Sequence, residues 1–298
     1  MSDLLTHWAI FEDCRRLASC LEQVSPELSK VLNEEREFAR LGAVSRAGAT
    51  FVPHVLNQER NKFKESGYDA LNRRRLAFAL GGILHYPADF VMKPLMSRLA
   101  KADWHKEHAR MASGRREVDS RAREISAYYD SHVFRKVYLA GREDPFNRFL
   151  FADNSTEPGR ALEEFVYSLF QRALLSSHTL APDKANLDGW LDNLISRVQP
   201  LYIDIRAFVA VYLQPDLAKL REYGVESEFY LDGDPAIMAA RKVQQGVSMG
   251  QAELSTALDL AVNQSGYGKA LCIGLAALVE ASDYWAGRRS EPPDIRQG

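Results

Sequence analysis

The sequence contains little cysteine: Cys14, Cys20 and Cys272 are the only three among 298 residues. The number is odd and no two of them stand in a CxxC pair, which argues against a disulfide framework and against a thiolate zinc site. We therefore expect Cys14 and Cys20 to pack as small apolar side chains, since free cysteine is among the most buried residue types.

Long apolar runs are also missing. The two most apolar stretches, residues 76–84 and 270–279, are too short to cross a bilayer. The N-terminal residues have neither the basic segment nor the apolar core of a secretory signal. These absences predict a cytoplasmic protein without a membrane span.

No charge of one sign dominates, because the formal net charge is −2 and the isoelectric point lies near 6.4. Such a balance gives no general attraction to nucleic acid, and we expect no nucleic-acid partner. Hydrophobic residues at 46% and charged residues at 26% are typical of a globular chain. We expect disorder only at the ends, above all in the tail of residues 288–298 with its Pro292-Pro293 pair.

Several catalytic motifs are absent as well. The chain has no GxSxG, Walker, HExxH or GxGxxG pattern. This disfavours serine hydrolases, nucleoside triphosphatases, zincins and dinucleotide enzymes.

The pattern that is present is helical almost throughout, with hardly any strict alternation of apolar and polar residues. It predicts an all-α, multi-helix bundle. Ser25 and Pro26 are a cap and a first-turn residue at one helix start, and Asp183 and Asp234 suit two others. The predicted helices are residues 4–21, 26–41, 68–86, 102–138 with a break near Gly114, 161–175, 187–198, 201–212, 235–245, 251–263 and 268–285.

We expect these helices to form a single domain over residues 1–287. Residues 141–159, which contain Asp144-Pro145 and Glu157-Pro158, suggest a connector, and residues 224–233, which begin and end with glycine, suggest a loop.

The best local signal for chemistry is the pair His85 and Asp89, which follows the apolar helix of residues 68–86. In a continuous helix these residues and Lys93 stack on one face, because each is four residues from the next. An imidazole and a carboxylate one turn apart suit a divalent ion, or else form an internally satisfied core pair. Pro87 predicts a kink or a new helix start between them.

Four segments together resemble the zinc-dependent phospholipase C family, which is related in fold to the P1-type nucleases. They are Thr6-His7, Leu41-Gly42-Ala43-Val44-Ser45, His54, and the segment from His85 through Asp89 to Lys93-Pro94. The resemblance covers roughly residues 4–138 and implies a phospholipase C-like half over residues 1–140. Residues 160–287 are then additional helices.

The resemblance also implies a site and an activity. His7, His54, His85 and Asp89 would bind zinc, with Asp89 as the catalytic residue. The substrate would be a phosphoester or a phospholipid-like small molecule, attacked by an activated water.

The departures from the family pattern are specific. Arg46-Ala47 stands where the family has Pro-Asp, Lys93 stands for a histidine, and Ala122 and Ser126 stand for a histidine and a glutamate. The full metal cluster therefore lacks ligands, and at most one zinc site is expected.

Three interpretations follow from these departures. The chain is a divergent phosphoester hydrolase with one zinc site. Alternatively, it is a non-catalytic helical scaffold, or a ligand- or partner-binding protein, in which Lys93 pairs with Asp89 and supplies the lost positive charge. The third interpretation is an unrelated helical bundle with an accidental HxxxD pattern.

Other polar groups have weaker patterns. His105 and His108 are three residues apart but lie among lysines and an arginine, which favours a solvated face. Glu124, Asp130 and His132 could complete a metal site, although residues 130 and 132 point to different sides of a helix. The arginine run of residues 115–123 is expected to be a charged surface.

Overall fold

The computed structural model of the chain describes residues 4–44, 48–66, 69–107, 114–138, 211, 214–261 and 265–294. These residues form helices and connecting turns, with no strand among them. The all-α prediction is therefore confirmed for the described part of the chain. Three predicted helices, residues 161–175, 187–198 and 201–212, fall almost entirely outside it, as does Asp183.

The first half contains six described helices, of which the first and the last lie within predicted ones. The predicted helix of residues 26–41 is divided into two helices, and the one predicted at residues 68–86 continues to residue 107. The helix of residues 48–66 was not predicted. Ser25 caps the second helix, accepting a hydrogen bond from the Leu28 N–H at 3.2 Å, and Pro26 occupies the first turn. The helices are α1 (Leu4–Ala18), α2 (Pro26–Glu34), α3 (Arg36–Val44), α4 (Gly48–Ser66), α5 (Ala70–Glu107) and α6 (Gly114–Val137).

The second half contributes four more described α-helices. Asp234 caps one of them by accepting a hydrogen bond from the Ala236 N–H at 3.0 Å, as its position predicted. The predicted loop of residues 224–233 contains a short π-helix, Val225–Phe229, and so is more ordered than expected. The helices are α7 (Leu217–Glu222), α8 (Pro235–Gln244), α9 (Gln251–Ala261) and α10 (Gly266–Trp285).

Helix α5 is the centre of the bundle and contacts α1, α2, α3, α4, α6 and α10. It continues through Pro87 and Pro94, so of the two predicted alternatives, a kink or a new helix start at Pro87, the new start is wrong. A proline removes one backbone hydrogen bond, a local cost that packing of a buried helix can offset. Gly274 on α10 leaves room for Cys14 and Leu84, because a Cβ at residue 274 would lie 2.9 Å from Cys14 Sγ and 3.0 Å from Leu84 Cδ2.

The two ends of the chain share one apolar core, whose members run from Leu5 on α1 to Trp285 on α10. A buried polar contact reinforces this connection. The Tyr267 hydroxyl donates to the Asp13 carboxylate at 2.9 Å, and the Arg241 guanidinium also contacts that carboxylate. Helices α8 and α10 are thereby held against α1.

The tail is described as far as Asp294. The Arg288 Nε donates to Asp283 at 2.8 Å, and Pro293 is buried. The disorder expected from residue 288 onwards therefore does not apply to residues 288–294. Among the described residues, no helix combines the length and the hydropathy that spanning a bilayer requires.

Candidate metal centre

Three potential metal ligands meet where α1 crosses α5. His7 comes from α1, and His85 and Asp89 lie one turn apart on α5. One ligand atom from each residue lies within 4.8 Å of the other two. The unbroken course of α5 through Pro87 brings residues 85 and 89 onto the same face of the helix. Three of the four predicted ligands are therefore brought together.

The separations within this group suit a small divalent cation. His7 Nε2 lies 3.6 Å from Asp89 Oδ1, and His85 Nε2 lies 3.3 Å from Asp89 Oδ2. The two imidazole rings are stacked, with centroids 4.5 Å apart. Ligand atoms bound to zinc at about 2.0 Å in a tetrahedron are about 3.3 Å from one another. The donor set and its spacing thus fit one zinc-type ion with an open position.

A backbone carbonyl fixes the orientation of His85. Its Nδ1 lies 2.9 Å from the oxygen of Ala43, which can only accept a hydrogen bond, so Nδ1 carries the proton. Nε2 is then the ring nitrogen that faces Asp89, at 3.3 Å from its Oδ2. A metal-binding histidine usually donates its other ring N–H to a carboxylate or a backbone carbonyl in this way.

Close packing of α3 on α5 places that carbonyl. A Cβ at Gly42 would lie 2.0 Å from the Phe78 carbonyl oxygen, and a Cβ at Gly81 would lie 1.8 Å from the Ala39 carbonyl oxygen. Only glycine permits these two backbones to approach so closely. Gly42 therefore contributes to the site by allowing close backbone packing, and Ala43 contributes through its carbonyl oxygen.

The Asp89 carboxylate is ionised and faces three nitrogen groups. Burial alone would raise the pKa of Asp89, but the imidazoles of His7 and His85 hold it well below its usual range. The Lys93 ammonium contacts Oδ2, as the spacing of four residues predicted. The Lys93 side chain is 63% exposed, so the ammonium lies at the solvent side of the group.

His54 does not belong to this group, so its prediction as a ligand is corrected. Its neighbours Val52, Val55 and Leu56 are buried, whereas His54 is exposed. These buried positions define the inner face of α4, and residue 54 lies on the opposite face.

The start of α1 is held by a residue that sequence reasoning considered only as a metal ligand. The Asp130 carboxylate on α6 accepts hydrogen bonds from the Leu5 N–H at 3.2 Å, the Thr6 N–H at 2.8 Å and the Thr6 hydroxyl at 2.7 Å. These donors include helix-end N–H groups that α1 itself cannot satisfy. Asp130 therefore fixes the residue next to His7.

The remaining candidates do not join the centre. Glu124 pairs with Lys219 across to α7, and His132 Nδ1 lies 4.0 Å from Glu226. Ala122 has no ligand atom, and Ser126 is buried on α6. His108 and the side chain of His105 lie outside the described residues. Within the described part of the chain, His7, His85 and Asp89 are the one group of three or more such ligands.

Comparison with protein-family models, with curated proteins and with solved structures found no match. The resemblance to the zinc-dependent phospholipase C family therefore stays a prediction from the motifs.

Proposed function

We propose that the chain is a metal-dependent phosphoester hydrolase with a single zinc site formed by His7, His85 and Asp89. The observation that carries this proposal is the convergence of two imidazoles and one carboxylate from α1 and α5 within 4.8 Å. Three protein ligands with one open position are the usual composition of a catalytic zinc site. A bound zinc ion supplies Lewis acidity, lowering the pKa of water and polarising a phosphoryl group.

A single ion is favoured over a cluster because Lys93 contacts Asp89 Oδ2. An ammonium at that oxygen repels a second divalent cation. Residue 122 is an alanine and cannot replace the missing histidine of the resembling family.

Each residue has a distinct role in this proposal. His7 and His85 bind through Nε2, and the Ala43 carbonyl keeps the proton of His85 on Nδ1. Asp89 binds as an ionised ligand and does not carry protons, because its pKa is held well below its usual range. The exposed Lys93 ammonium is placed to attract an anionic substrate, which is the reason for choosing phosphoesters over neutral esters.

The test is zinc binding and hydrolysis by purified protein, first depleted of metal with a chelator. We expect one zinc per chain and zinc-dependent cleavage of bis(p-nitrophenyl) phosphate or p-nitrophenyl phosphate. Asp89→Asn removes the charged ligand and should weaken zinc binding by more than about 10-fold, at least as much as losing a group that only hydrogen-bonds to a ligand. His54→Ala is the matched control, because His54 is an exposed histidine outside the group. Equal zinc affinity in the two variants would refute the site.

The Lys93–Asp89 ion pair also favours a second candidate, a non-catalytic helical module in which Lys93 replaces the metal. In that case the natural protein binds no zinc, and added zinc leaves its melting temperature unchanged. Lys93→His would then restore a ligand and create zinc binding. A natural protein that binds zinc tightly contradicts this alternative.

A further inference from the structure

An apolar cleft lies between α5 and α10 and has a volume of about 230 Å³. One of its lining residues, Phe90, is 51% exposed, so the cleft opens to solvent. The walls supplied by the two helices are mainly apolar and include Ile83, Tyr86, Pro87 and Phe90 of α5 with Ile273 and Ala277 of α10.

The cleft adjoins the candidate metal centre through Tyr86. The Tyr86 ring lines the cleft and also packs against the His85 ring, with centroids 5.8 Å apart and planes at 88°. Phe90 is three residues from Lys93 along α5, and residues at this spacing are neighbours on a helix surface. The exposed Phe90 ring and the exposed Lys93 ammonium therefore lie side by side, next to Asp89.

The charges of the cleft exclude an anion from it. Its two charged lining residues are Glu280 and Asp294, and Glu280 already pairs with Arg289. None of the described lining residues is cationic. Carboxylates repel a phosphate, whereas Lys93 attracts one. The phosphate of a substrate therefore belongs at the Lys93 side of α5, and the cleft suits an uncharged apolar group.

The volume limits the size of that group. An apolar cavity of about 150 Å³ holds one benzene molecule. The volume of about 230 Å³ leaves room for one ring with a short linker, but not for the long acyl chains of a membrane lipid.

We propose that the cleft binds a short arylalkyl ester group of the substrate, with Phe90 as a residue that determines this preference. The inference rests on the proposed function, because the phosphate of the same substrate would lie at His7, His85 and Asp89. The substrate class is then a phosphodiester in which one ester group is small, uncharged and apolar.

The first test needs neither metal nor hydrolysis. Ethylbenzene is added to the full chain in chelator, and thermal unfolding is followed by circular dichroism. We expect the melting temperature to rise with ethylbenzene concentration, because a ligand that binds only the folded state stabilises it. Phe90→Ala should lose most of this rise. Phe63→Ala is the matched control, because Phe63 is also exposed, at 39%, but lies against Trp285 outside the cleft.

The second test compares two esters with zinc-loaded protein, methyl p-nitrophenyl phosphate and 2-phenylethyl p-nitrophenyl phosphate. Both carry one negative charge and release p-nitrophenolate, so they differ only in the group assigned to the cleft. One methylene group in an apolar pocket changes kcat/KM by about 10- to 200-fold, and we expect at least about 10-fold in favour of the phenylethyl ester. Phe90→Ala should reduce this ratio about 2- to 10-fold, the size of one ring–ring contact, and Phe63→Ala should retain it.

Each contrary result has a separate meaning. Ethylbenzene that leaves the melting temperature unchanged, or raises it equally in Phe90→Ala, overturns the proposal. Equal kcat/KM for the two esters overturns the substrate role of the cleft alone, whereas cleavage of neither ester refutes the proposed function together with it. Ethylbenzene binding that requires deletion of residues 295–298, or a dimer that dissociates in Phe90→Ala, would assign the cleft to the chain itself and also overturn the proposal.

Discussion

Replacing Gly42 with alanine should disturb both the fold and the candidate metal centre. The added Cβ would lie 2.0 Å from the Phe78 carbonyl oxygen and 2.9 Å from the Gly82 nitrogen. Both atoms belong to the backbone of α5, so no side-chain rotation relieves the clash. Helices α3 and α5 must move apart, and the Ala43 carbonyl then moves away from His85.

The magnitude is the balance of two effects. Overpacking of this kind costs about 1–3 kcal/mol, whereas alanine gains about 1 kcal/mol over glycine in helix propensity. Because both clashing atoms belong to the backbone of α5, we expect the steric cost to exceed the gain in helix propensity by about 1–2 kcal/mol. At about 2–4 °C per kcal/mol, the melting temperature should fall by about 2–8 °C. Loss of the Ala43 hydrogen bond should weaken zinc binding roughly 10- to 100-fold.

Thermal unfolding followed by circular dichroism, together with zinc titration, measures both effects. Gly233→Ala is the control, since a Cβ at Gly233 meets no atom within 4 Å. It should leave the melting temperature and zinc affinity nearly unchanged. If Gly42→Ala behaves like this control, the described approach of α3 to α5 and its role at His85 are wrong.

Three other substitutions test separate contacts. Asp130→Asn should lower the free energy of unfolding by about 1–3 kcal/mol in urea titrations, because its carboxylate accepts three hydrogen bonds at the start of α1. Tyr267→Phe should cost about 1–2 kcal/mol in the same assay by removing the buried donor to Asp13, and an unchanged midpoint would contradict that contact. Burial and the nearby charge of Lys136 lower the pKa of His132 from its ordinary value of 6.5 to about 4. Between pH 6.5 and 4 the unfolded chain therefore binds more protons than the folded one. Stability should fall by up to about 3 kcal/mol as the pH drops through that window, and His132→Phe should flatten the decline.

Much of the fold follows from local patterns. Ser25-Pro26 and Asp234 mark helix starts by short-range hydrogen bonding, and both predictions are confirmed. The π-helix at Val225–Phe229 and the continuity of α5 through Pro87 are not local properties. They depend on packing against other helices, which overrides the tendency of glycine and proline to interrupt a helix.

The site was only partly predictable for the same reason. The spacing of four residues places His85, Asp89 and Lys93 on one face, and the structure confirms that arrangement. The contacts of Ala43 with His85 and of Asp130 with Thr6 join residues 42 and 124 positions apart, and no short motif encodes them. Only its place in the resembling pattern predicts His54 as a ligand, whereas the buried residues around it place it on the exposed face of α4.

Zinc X-ray absorption spectroscopy of the metal-loaded chain tests the central proposal most directly. We expect one zinc with only nitrogen and oxygen neighbours at about 2.0–2.1 Å, including the outer-shell signature of two imidazoles. Asp89→Asn should lose this spectrum, and His54→Ala should retain it. A sulfur neighbour at about 2.3 Å, or a chain that retains no zinc, would contradict a metal centre at His7, His85 and Asp89.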